Sequence, residues 1–120
     1  MKKELREAIE DVAFTAADNF VAQARRVYNN IENGLYEIYP DEAMPPHQQG
    51  WFDSVYDAFY ALETGASRLR DGGITSGEFL EYIEQFMNLT EDEDATDDYQ
   101  AMWSIRKMFV DSCELVDDHS

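Results

Sequence analysis

Positive charge is what this sequence has least of: nine Lys and Arg stand against 26 Asp and Glu in 120 residues, a formal net charge of −17. A polyanion is repelled by nucleic-acid phosphates and by anionic lipid headgroups, so direct binding to DNA, RNA or a membrane surface is not expected. There is a single cysteine, Cys113, and no internal disulfide can form. The N-terminus has no uninterrupted apolar stretch of the kind a secretory signal carries, and together with the lone cysteine this favours a reducing cytoplasm. No apolar run approaches the ~20 residues needed to cross a bilayer, so no membrane span is expected. The two histidines, His47 and His119, stand in no spacing that suggests a metal pair or a nucleophile with its base. Gly72-Gly73 lies in acidic surroundings hostile to phosphate, and no motif sets two carboxylates apart in pKa as acid–base catalysis requires. The expectation is a protein that is not an enzyme and holds no metal or cofactor.

What the chain does have is apolar and aromatic content, 44% and 13%, well above that of a disordered acidic segment. At 120 residues it has the size of one domain, 1–120, able to bury roughly two thirds of the surface of its unfolded chain. The charge is unevenly placed. Residues 1–30 balance five bases against five acids, whereas residues 31–120 hold 21 acids and four bases. Acidic runs alternate there with apolar residues, so a folded body with carboxylates spread over its outside is expected.

Apolar residues at Leu5, Ile9, Val12, Ala16, Phe20, Ala24, Val27 and Ile31 predict a helix from Glu4 to about Ile31, closed by Asn33-Gly34. Residues 35–50, with Pro40, Pro45 and Pro46, read as an irregular loop with an extended start. Trp51, Val55, Ala58, Phe59, Leu62, Ala66 and Leu69 predict a second helix that Asp71-Gly72-Gly73 ends. A third starts at Thr75, which with Glu78 forms a capping box while Ile74 staples Phe79. Its inward residues are Phe79, Ile83, Phe86 and Met87, and Glu78, Glu81, Glu84 and Glu91 line the other side. Six acids fall within Thr90–Asp98, and Tyr99, Met102, Ile105, Phe109, Cys113 and Val116 predict a fourth helix. The fold class is all-α, a bundle of about four helices.

The stretch Ser67–Glu78 resembles an EF-hand calcium loop in its Asp-Gly-x-Ile core and final Glu78, but Ser67 and Leu69 replace two of the ligands. A capped helix–loop–helix accounts for it better, and a degenerate EF-hand-like interaction module is the third-ranked reading of function. Among the clustered aromatics, Tyr56 and Tyr60 lie off the Trp51-Val55-Phe59 stripe and are candidates for a dimer seam or a partner contact.

The acidic surface is the main functional signal. Solubility is served by a net charge of roughly 2 to 8 in a small domain, and −17 is about twice the upper figure. Carboxylates one helical turn apart are separated by about 5 to 6 Å, comparable to the ~7 Å spanned by two steps of one DNA strand, so rows of acids can imitate rows of phosphates. The residues assigned this role are Glu78, Glu81, Glu84, Glu91, Asp92, Glu93, Asp94, Asp97 and Asp98, flanked by Asp53, Asp57, Asp111, Asp117 and Asp118.

In kind, the chain resembles the DNA-mimic antirestriction proteins of phage and plasmids, of the Ocr type, which are small, helical and strongly acidic. Ala8-Ile9 and Ala16-Ala17-Asp18-Asn19 carry the local likeness, over about a sixth of the sequence. The resemblance implies inhibition of a bacterial defence or other DNA-binding protein, and often a homodimer. A basic DNA- or RNA-binding protein is thus the expected partner. The alternative is an immunity or antitoxin-like protein that neutralises one cationic toxin or nuclease.

Overall fold

The computed structural model describes residues 3–40, 43–91 and 97–119, and the side chains of all of these except 3–6, 9 and 114–119. Four helices follow in order: α1 (Lys3–Ile38), α2 (Pro46–Asp71), α3 (Ser76–Leu89) and α4 (Asp97–His119), with no strand among the described residues. Cross-helix contacts run up the chain on one helix as they run down on the next. Asp18 meets Arg70 and Arg25 meets Glu63 between α1 and α2, and Trp51 meets Leu89 and Phe59 meets Phe86 between α2 and α3. Phe79 meets Phe109 between α3 and α4. The topology is therefore up-down-up-down, with α4 laid back along α1, its most extensive packing partner.

The all-α bundle matches the expectation, but the irregular segment is shorter than 35–50. The first helix does not stop at Asn33-Gly34: Gly34 lacks the positive φ of a terminator, which among the described glycines only Gly72 shows (φ 82°). Buried Leu35, four residues after buried Ile31, carries the core stripe past the glycine to Ile38. Pro46 likewise starts a helix instead of preventing one, because the first helical position needs no N–H donor and proline's fixed φ suits it. At the far end of α2, Gly72 takes the left-handed cap and its N–H reaches Leu69 O, while Thr75 and Glu78 close the capping box of α3.

The core runs the length of the bundle on Phe20, Leu62, Val55, Phe79, Ile83, Phe86, Met102 and Phe109. Alanines at 13, 16, 17 and 24 keep the buried face of α1 low, so neighbouring helices approach closely. The same need appears at Gly65, where a Cβ would lie 3.0 Å from the Tyr82 ring. Val12, expected in the core stripe, is instead 51% exposed, and Ala13 takes the inward position.

The molecule is a thin bar, 59 × 27 × 17 Å, with a radius of gyration of 16.2 Å against about 14 Å for a compact chain of this length. The 36 residues of α1, about 54 Å of helix, set the long dimension. Elongation spreads the surface carboxylates along a line.

Candidate functional site

Glu78, Glu81 and Glu84 on α3, and Glu91 two residues past its end, are all exposed. They do not form one straight row. Each step of three residues turns back by about 60°, so Glu78 and Glu84 point about 120° apart around the axis, and Glu91 follows the cap of the helix at Thr90. Two of the four are already engaged. Glu78 Oε1 accepts from the Thr75 N–H at 3.4 Å in the capping box, and Glu84 pairs with Arg106 of α4 at 2.8 Å. Glu81 and Glu91 make no hydrogen bond or ion pair with described residues and are the free carboxylates of this face.

The acidic stretch after α3 is held at both ends. Three side chains serve the last carbonyls of α3: Thr90 Oγ1 donates to Phe86 O (2.8 Å), Tyr99 Oη to Met87 O (3.2 Å) and Trp51 Nε1 to Leu89 O (2.8 Å). Thr90 is fully buried, so its hydroxyl needs that acceptor. At the start of α4, Gln23 Nε2 donates to Asp98 O (2.7 Å) and Oδ1 (3.2 Å), and Asn30 Nδ2 to Asp98 Oδ2 (2.8 Å). Asp98 is therefore a half-buried anchor of α4 onto α1, not a displayed charge, and Asp97 beside it is exposed. Asp92, Glu93 and Asp94 lie outside the described residues, as do the side chains of Asp117 and Asp118 on α4. Nothing in the sequence marked Asp98 as different from its acidic neighbours; the partners are 75 and 68 residues away.

Of the flanking acids, Asp53 accepts from Gln49 one turn earlier (2.8 Å) and Asp111 sits 3.7 Å from Lys107, both on exposed helix faces. Asp57 makes no contact of this kind with described residues. Tyr56 and Tyr60 stand on the same side of α2, 50% and 57% exposed. Behind Tyr56, Tyr28 of α1 inserts between Phe52 and Phe59, with ring centroids 5.5 and 5.4 Å apart and planes nearly parallel, and meets Tyr56 edge-tilted at 6.1 Å. Burial, then a hydrogen bond and the charge of Glu32, push the Tyr28 hydroxyl up to about 12. Tyr36, near Tyr28 on the same helix, and Ile38 are exposed too; both became visible only with α1 continuing past Gly34, and Trp103 and Met108 on α4 were likewise not foreseen as exposed.

The EF-hand register is not formed. Ser67 to Asp71 belong to α2, leaving a four-residue connection, Gly72–Thr75, and no group of three or more metal-ligating side chains occurs among the described residues. No helix of the described residues is long and apolar enough to cross a membrane. A surface depression of about 410 Å³ between α1, α2 and α4 is bordered by Phe14, Leu69, Ile74 and Cys113 and by Arg70, which already pairs with Asp18.

Comparison of the chain with protein-family models, with curated proteins and with solved structures gives no match.

Proposed function

We propose that this protein is a non-enzymatic inhibitor, acting in the bacterial cytoplasm, that occupies the basic nucleic-acid-binding surface of a DNA-binding or defence protein. The observation that carries this reading is linear charge density. A net charge of −17 along a 59 Å bar is one negative charge per about 3.5 Å, against one per 3.4 Å for a single DNA strand. A cationic cleft built to track a phosphate backbone meets a similar density here. Because helices fix the carboxylates, no duplex need be bent to reach them, and the cleft's attraction to DNA is redirected. The resemblance to DNA-mimic antirestriction proteins points the same way. Glu81, Glu91 and Asp97, without a hydrogen bond or ion pair to the described residues, and Asp57 on the neighbouring helix are the leading contact residues. Glu84, Asp53 and Asp111 contribute charge that is already shared, while Glu78 and Asp98 serve the fold.

The test is affinity capture from a bacterial lysate at low salt, followed by elution with duplex DNA. The expected result is a nucleic-acid-binding protein that DNA displaces and that is lost steeply as salt rises. A partner retained in the presence of saturating DNA, as an immunity protein that binds away from an active site would give, overturns the phosphate-mimic reading.

A further inference from the structure

Each of the three interhelical ion pairs among the described residues has the same three-part construction. Arg25 pairs with Glu63 at 2.6 Å and lies 5.8 Å from the centroid of the Phe59 ring. Arg70 pairs with Asp18 and lies 5.8 Å from that of Phe14; Arg106 pairs with Glu84 at 2.8 Å and lies 5.7 Å from that of Trp103. An arginine is thus held by a ring against its face and a carboxylate at its edge. This suits guanidinium, which is flat, weakly hydrated and forked, better than the compact ammonium of lysine.

The outer face of α2 repeats the receiving half of this construction with no described arginine in it. Asp53, Tyr56, Asp57 and Tyr60 recur at i, i+3, i+4 and i+7, so carboxylates and rings alternate within about 5 to 6 Å of one another. Both tyrosines are half exposed, and no described cation lies over either ring. Contact with Tyr28 fixes one edge of Tyr56, so part of the site is preorganised.

We propose that this strip is an arginine-reading docking site, occupied by an arginine-bearing segment of the cationic partner protein. The inference rests on the preceding reading only in that the partner is basic; it adds that recognition on α2 depends on arginine and not on positive charge alone. Charge complementarity selects the occupant. A second copy of this chain would bring another −17 and the same two carboxylates to the contact.

The experiment titrates the full chain, at low salt, into dye-labelled peptides of eight arginines and of eight lysines, followed by fluorescence anisotropy. The arginine peptide is expected to bind about five-fold more tightly. The preference should fall towards unity in Tyr56→Ala/Tyr60→Ala and persist in Tyr56→Phe/Tyr60→Phe, while Asp53→Asn/Asp57→Asn weakens both peptides. Amide chemical shifts of the unaltered protein, mapped with the arginine peptide, should move most at residues 53–60, which tests the site even where a variant fails to fold. Equal affinities, or shifts confined to α3 and α4, overturn the proposal. DNA failing to displace the captured partner while the arginine preference holds would remove the phosphate-mimic reading and leave this one.

Discussion

Tyr28 shows how one residue can join scaffold and surface. Its ring is the filling between Phe52 and Phe59, which sit two turns apart on α2, and its hydroxyl faces Glu32 on its own helix. Since ionisation would place a phenolate beside that carboxylate and in a half-buried stack, the folded state holds the proton up to about 12, above the ordinary value of 10. A folded pKa above the unfolded one means that stability is fully present below pH 10 and drains away as pH rises from 10 through 12. Melting temperatures across that range should fall more steeply for the natural protein than for Tyr28→Phe, which has no such proton to lose. Equal slopes would show that the shift does not contribute. A second pair of residues separates support from display. Thr75→Ala removes the cap acceptor of α3 and should cost about 1 kcal/mol, a melting-temperature drop of about 4 °C. Glu78→Gln keeps a side chain that can complete the box and should leave the melting temperature nearly unchanged despite losing a charge. If Glu78→Gln also abolished partner capture, Glu78 would return to the set of contact residues.

The helices show which signals in a sequence are local and which are not. The extents of α2 and α3 past Trp51, and the cap of α3, were legible because periodicity, Gly72 and the Thr75–Glu78 box act within a few residues. The end of α1 was not. Asn33-Gly34 has the form of a terminator, but the burial of Leu35 in the shared core outweighs glycine's cost of about 0.5–1 kcal/mol inside a helix. Val12 was misplaced for a related reason: two neighbours, α2 and α4, cover α1, and the arc they bury centres on Ala13, about 100° away from Val12 around the axis. The exposure of Glu81, Glu91 and Asp97 in the candidate acidic site was legible in the sequence, whereas the engagement of Glu84 with Arg106 and of Asp98 with Gln23 and Asn30 required the tertiary fold. The reading of α1 as continuous makes its own prediction. Gly34→Ala adds a Cβ that meets nothing within 4 Å and removes backbone freedom from the unfolded chain. It should raise the melting temperature by about 2 to 4 °C. A fall would mean that Gly34 does terminate the helix in solution.

Across the whole molecule, the carboxylates act against folding, while the proposed function has them favour binding, and salt separates the two effects. Only four ion pairs are formed among the described residues, each at least partly exposed, and such pairs contribute ~1 kcal/mol or less apiece. The unbalanced −17 therefore dominates the electrostatics of the free protein as self-repulsion along a bar only 17 Å thick. Raising ionic strength from about 0.05 to 0.5 M shortens the screening length from over 10 Å to about 4 Å, less than the width of the molecule. The melting temperature of the free protein should rise over that interval, while retention of its captured partner should fall by about ten-fold or more. Charge reversal gives the matching control. Glu81→Lys/Glu91→Lys/Asp97→Lys lowers the net charge to −11 without touching a described internal contact, so it should raise the melting temperature at low salt, flatten its salt dependence and abolish capture. If that triple variant still held the partner as tightly as the natural chain, the carboxylates of α3, of Glu91 just past it and of the start of α4 would not form the contact surface.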